Sequence, residues 1–223
     1  MNSIRIKKQT TCAIAAICFF LSINHCSAES IVFDNGVGGA TGISGAVISD
    51  SNAAYPTVVA DDASVLVTTA LTGIEWSGVY LGAGGSLPVD DFTIEIFDDL
   101  NGSPSNNIAS FAVGNNVNRT LAAGGGGIPD IFSYSAAIDF ELDPNTTYWF
   151  SIFNNTAGPG DFGIGTDFPA GSGNNHLALV GGPFTLQGVN VDFRLRGTAI
   201  PEPITSSLLL PLAVFCLTRR RNK

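Results

Sequence analysis

Between Glu29 and Ile200 the chain has no cysteine and no lysine. Cys12, Cys18 and Cys26 precede that stretch and Cys216 follows it, so the body has no disulfide, no zinc-thiolate site and no thiol nucleophile. Its cations are Arg119, Arg194 and Arg196 alone, against eighteen acidic residues, a formal charge of −15. Such a surface repels nucleic acid and anionic lipid and attracts cations. Histidine is almost absent as well: His176 is the only one in the body, so any Ser-His-Asp arrangement must use it. It stands beside Gly173, Asn174 and Asn175 with no G-x-S-x-G elbow nearby, which predicts a solvent-exposed loop histidine rather than a base.

Amphipathic helical periodicity is missing too. About 170 residues remain between the ends, enough for one domain with a sizeable core, and they are rich in Gly, Asn, Thr, Val, Ile and Phe, a composition of strands and turns. Val65–Thr72 and Ile74–Leu81 read as two strands around Gly73. Phe92–Phe97 alternates Phe92, Ile94 and Ile96 against Thr93, Glu95 and Phe97. Leu100–Pro104 supplies turn chemistry and Ile108–Val113 returns as its partner. Phe132–Leu142 and Thr147–Phe153 bracket a turn at Asp143–Thr146, and Val191–Arg196 points Phe193 and Leu195 inward. Gly114–Gly127 and Asn154–Asn175, lacking this alternation, read as loops. With no helices to cover parallel strands, the expected fold is all-β, an antiparallel, jelly-roll-like sandwich.

The two ends have a different character. Arg5, Lys7 and Lys8 precede an apolar run from Thr11 to Ile23, and Cys26-Ser27-Ala28 places small residues at a cleavage site between Ala28 and Glu29. This is the pattern of a secretory signal peptide. At the other end, Pro201-Glu202-Pro203 precedes fifteen uncharged residues, Ile204–Thr218, and then Arg219, Arg220, Arg221 and Lys223. As a helix that run would reach about 22 Å, short of a hydrocarbon core of about 30 Å. The basic cluster should stay cytoplasmic and leave the body on the far side of the membrane.

The order of these three parts resembles the PEP-CTERM sorting signal of Gram-negative bacteria. That resemblance implies recognition by an exosortase, a membrane-embedded cysteine protease, which would cut near Pro201-Glu202-Pro203 and release the body. The domain division is then 1–28 signal peptide, 29–199 extracellular sandwich and 200–223 sorting signal. Within the body, "DDFTIEIFDDLNGSPSNNIASF" and "FELDPNTTYWFSIFN" resemble extracellular β-sandwich domains of the choice-of-anchor type. In those domains the Asn-Gly-Ser-Pro hairpin and the Leu-x-Pro-x-Thr-x-Tyr-Trp strand recur; the resemblance brings no catalytic residues.

Glu75, Glu95 and Glu141 are the strand carboxylates that a glycosidase would need as a pair. Trp76, Tyr80 and Trp149 are candidates for stacking on sugar rings, with core packing as the alternative for each. No cofactor is expected; the many oxygen donors leave room for a structural calcium ion, with the ligands unknown. The expected function is that of an exported, exosortase-processed structural or adhesive protein of the cell surface or extracellular matrix, associated with exopolysaccharide and not an enzyme. A carbohydrate-binding module is the alternative and a glycoside hydrolase the third reading. The implied partners are exosortase and the general secretion machinery, with passing insertion of the tail in the inner membrane and no nucleic acid.

Overall fold

The computed structural model describes residues 28–36, 45–82, 88–125, 128–158, 160–167 and 176–201. The residues before Ala28, where a signal peptide is expected, and Glu202, Pro203, Arg219, Arg220 and Arg221 lie outside the described residues.

Among the described residues, fourteen strands account for the regular structure: β1 (Ser30–Asp34), β2 (Gly45–Ile48), β3 (Thr57–Ala63), β4 (Thr69–Leu81), β5 (Phe92–Asp99), β6 (Pro104–Gly114), β7 (Asn118–Gly125), β8 (Ile128–Leu142), β9 (Tyr148–Asn154), β10 (Asp161–Asp167), β11 (His176–Leu179), β12 (Thr185–Leu186), β13 (Asn190–Val191) and β14 (Phe193–Ala199). Among the described residues there is no helix, and so none long and apolar enough to cross a membrane. Every strand pairing is antiparallel.

The strands form two sheets. Sheet A runs β1-β14-β4-β8-β7, and β10 continues the β14 side of β4, with β2 and β13 beside it. Sheet B runs β12-β11-β3-β9-β5-β6. Because side chains alternate along a strand, each sheet has an inner set that meets the other. Trp76 from β4 and Tyr134 from β8 stack at 5.4 Å between ring centroids, and Phe92 from β5 meets Trp76 edge-on at 5.2 Å. Phe162 from β10 completes the cluster, 4.9 Å from Phe92. Offset and edge-to-face contacts of this kind add to the stabilisation from burial alone. The arrangement is all-β and sandwich-like, with one apolar core between the sheets.

Two readings of the sequence are corrected. Gly73 does not separate two strands: β4 runs through it, with a bulge between Leu71 and Gly73 on the β8 side. A Cβ at Gly73 would lie 3.1 Å from the Ala136 carbonyl oxygen, so the residue marks a close backbone approach rather than a turn. The supposed loops at 114–127 and 154–175 contain β7 and β10. β10 escaped the alternation test because Gly163 has no side chain to show; a Cβ there would meet that of Ala46 on β2 at 3.1 Å. Its Phe162 ring in turn covers Gly78, where a Cβ would fall 2.4 Å from the ring.

The expected turns are present. Asn101 and Gly102 take φ of 59° and 79°, and the Leu100 N–H donates to the Ser103 carbonyl at 2.9 Å, closing the β5–β6 hairpin. Asn145 takes φ of 57°, and its N–H donates to Val65. The two ends of the body lie side by side: Ser30 pairs with Gly197, and just beyond, the Ile200 N–H donates to the Thr68 carbonyl at 2.8 Å. Both ends of the body therefore lie at one pole of sheet A.

Candidate functional site

The outer face of sheet B departs from the usual contrast between an apolar inside and a wet outside. The inward residues of β5 and β9, such as Ile94, Ile96, Phe150 and Ile152, belong to the core. The opposite parity carries Thr93, Glu95 and Phe97 on β5 and Trp149, Ser151 and Phe153 on β9, so large rings also point outward. Strand register sets His176, Ala60, Ser151, Glu95 and Ser110 in one row across five strands.

A cover shields part of this face. Past β11 the chain turns at Gly181, where φ is 77°, and the Gly182 N–H donates to Leu179 at 2.7 Å. The Val180 N–H donates to Pro56, tying the segment to the start of β3. Phe184 then meets Phe97 edge-on at 5.3 Å and packs with Ala60 and Trp149 in a second, smaller apolar cluster. Between this cover and the sheet lies a groove of about 540 Å³, lined by Glu95, Phe97, Pro104, Ser105, Phe153 and Phe184 among others. That volume lies in the range of small-molecule sites.

The groove's electrostatics turn on Glu95. Burial pushes its carboxyl above the ordinary value, and a hydrogen bond with the Asn107 side chain opposes this. All three arginines of the body are engaged elsewhere. Arg119 pairs with Asp90 at 3.0 Å, Arg194 with Asp34 at 2.9 Å and with Glu75 at 3.4 Å, and Arg196 with Glu75. Directly across from Glu95, Ser151 is fully buried and its hydroxyl has no hydrogen-bond partner among the described residues.

The three aromatic residues considered as sugar contacts are all buried. Trp76 lies in the core between the sheets and Tyr80 at its margin, where the phenol donates to Asp90 Oδ1 at 2.6 Å; burial raises its pKa. Trp149 is on the outer face of sheet B, but it is only 1% exposed, under His176 and the Phe184 cluster. Its indole N–H donates to Asp99 Oδ1 at 2.9 Å. None of the three presents a free ring face.

His176 is a correction. It opens β11, is buried, stands edge-on to Trp149 at 4.7 Å and shares a 3.1 Å hydrogen bond between its Nε2 and Ser103 Oγ. Its loop-like neighbours in sequence concealed a strand residue. The three candidate carboxylates form no catalytic pair. Glu75 and Glu95 sit on outer faces of opposite sheets, and Glu141 lies six residues along β8 from the partner of Glu75, roughly 20 Å away at the rise of a strand. A glycosidase pair needs about 5–9.5 Å. Among the described residues, no group of three or more His, Cys, Asp or Glu is placed to hold a metal ion.

Of the residues with expected roles in processing, Ala28, Glu29 and Pro201 are exposed, and the Glu29 carboxylate accepts a hydrogen bond from Thr72 at 2.8 Å. The groove was not legible as a site, although Phe97 and Phe153 at outward parity were its signal. No protein-family model matches the sequence, and no curated protein is similar to it.

Proposed function

We propose that the chain is exported by way of its first 28 residues, held in the inner membrane by its last 24, and released by exosortase cleavage near Pro201-Glu202-Pro203. Its body then serves as a structural or adhesive component of the cell surface or extracellular matrix. The observation that carries this reading is the position of the two ends. Ser30 pairs with Gly197, and Ile200 bonds to Thr68, so a body tethered at either end presents the same pole to the membrane. Pro201 follows at once and is exposed, as cleavage near it requires.

The jelly-roll-like path belongs to the same reading. It is supported by the pairing β1-β14-β4-β8 in sheet A and β3-β9-β5-β6 in sheet B, which is the order of a chain folded double and rolled, with β7 and the β10–β13 segment added. A carbohydrate-binding role is the second reading, favoured by the groove on sheet B.

The test is the size and compartment of wild-type and Glu202→Ala proteins in hosts with and without exosortase. The wild type should be shortened and external only where exosortase is present, and the variant should remain full-length in the membrane. A wild-type tail that persists equally in both hosts would contradict the proposal.

A further inference from the structure

We propose that the sheet B groove binds an amino-sugar unit, a pyranose ring carrying a free ammonium group, with Glu95 as the counter-charge. Three observations converge. Glu95 lines the groove half-buried, and its resolved partner is the neutral amide of Asn107. A partly desolvated carboxylate whose partner is a neutral amide gains from a cation brought to it. The body has no lysine, and each of its arginines is already paired with Asp34, Glu75 or Asp90, so the cation must come from outside.

The walls supply the second part of the chemistry. Phe97, Phe153 and Phe184 line the same groove as the carboxylate, and aromatic rings attract an ammonium group and pack against the C–H face of a sugar. Ser105 in the lining adds a hydroxyl for a ring oxygen or hydroxyl. The third part is size. About 540 Å³ holds one or two sugar rings, and an open groove lets a polymer run past. A lysine side chain from a protein shares the ammonium but has no ring to pack against the aromatic lining.

The inference does not depend on export or on tail cleavage, since binding is measured on purified full-length protein in neutral detergent. The experiment is a calorimetric titration at physiological salt with glucosamine oligomers, their N-acetylated counterparts and an oligolysine peptide. Wild-type, Glu95→Gln, Phe153→Ser and Glu141→Gln proteins are compared, each with its melting temperature. Glucosamine oligomers should bind the wild type at least tenfold more tightly than the acetylated ones. Glu95→Gln and Phe153→Ser should each weaken that binding at least tenfold. Glu141→Gln removes a charge from the other outer face and should leave it unchanged. An unaltered melting temperature in Glu95→Gln keeps the result free of any folding defect. Four results would overturn the proposal: no binding, equal binding of acetylated oligomers, equal losses in the Glu95 and Glu141 variants, or tighter binding of oligolysine. The third would mean diffuse attraction to an acidic body, and the fourth a protein partner.

Discussion

On the outer face of sheet A, Glu75 sits between Arg194 and Arg196, and Arg194 reaches on to Asp34. On the outer face of sheet B, Glu95 has an amide for a partner, in a groove walled by rings. Both residues are glutamates in the middle of a strand, at the outward parity of an alternating pattern. Their difference shows that burial and charge have been handled separately on the two faces. Sheet A spends two of three arginines on a solvent-facing lattice, while sheet B is covered by the Leu179–Phe184 segment and left without a cation. Asp61, on the inner side of β3, repeats the second treatment at greater depth: it accepts from the Val191 N–H at 2.7 Å and the Asn35 amide at 2.9 Å.

The largest effect should come from breaking the cover on sheet B. Trp149 is 1% exposed although it faces outward, so Trp149→Ala removes a core residue in all but direction. A loss of about 3–5 kcal/mol is expected, a fall of roughly 10 °C or more in a domain of this size. Arg196→Ala on the other face should cost under about 1 kcal/mol. Thermal unfolding of both variants checks the contrast, and equal losses would remove it.

A pH scan addresses the acids without cations. Burial raises the Asp61 carboxyl from 3.8 to about 7. The folded protein therefore holds its proton where the unfolded chain has released it. Stability from this group is complete below about pH 4, falls as pH rises to about 7 and is level above. The expected change is a few kcal/mol across that window. In Asp61→Asn, chemical denaturation at pH 4.5 and pH 7.5 should show this part of the slope gone; a slope equal to that of the wild type would refute the assignment.

The smallest effect is the most discriminating because it predicts opposite signs. Glu75→Gln should destabilise by about 1 kcal/mol or less, since it strips a partner from two arginines. Glu95→Gln should be neutral or slightly stabilising near pH 7, within about 0.5 kcal/mol, because it relieves a desolvated charge. Losses of the same sign in both would show that the two faces do not differ in this way.

The sequence revealed those parts of the fold where side chains report their direction. β14 and most of β5 alternate, and the Asn-Gly and Pro-Asn turns lie where the left-handed residues do. β10 was hidden because Gly163 occupies a position that must be small beneath Ala46 and Val79. His176 was hidden because a strand that follows Gly and Asn gives no local sign of its pairing with β3. The groove was hidden for another reason. Phe97, Phe153 and Phe184 stand far apart in the chain, and only the sheet register and the turn at Gly181 bring them together. Outward-facing phenylalanines were the available clue, whereas Trp76, Tyr80 and Trp149 are all covered.

All of these contrasts concern a body that, in the function proposed, works outside the cell after losing both ends. Mass spectrometry of the extracellular fraction tests that most directly, by reading both termini of the protein as secreted from an exosortase-bearing host. The account predicts a chain that begins at or near Glu29, ends close to Pro201 and lacks Arg219, Arg220 and Arg221. A full-length chain retaining those arginines, or one found only in the membrane fraction whether or not exosortase is present, would contradict it.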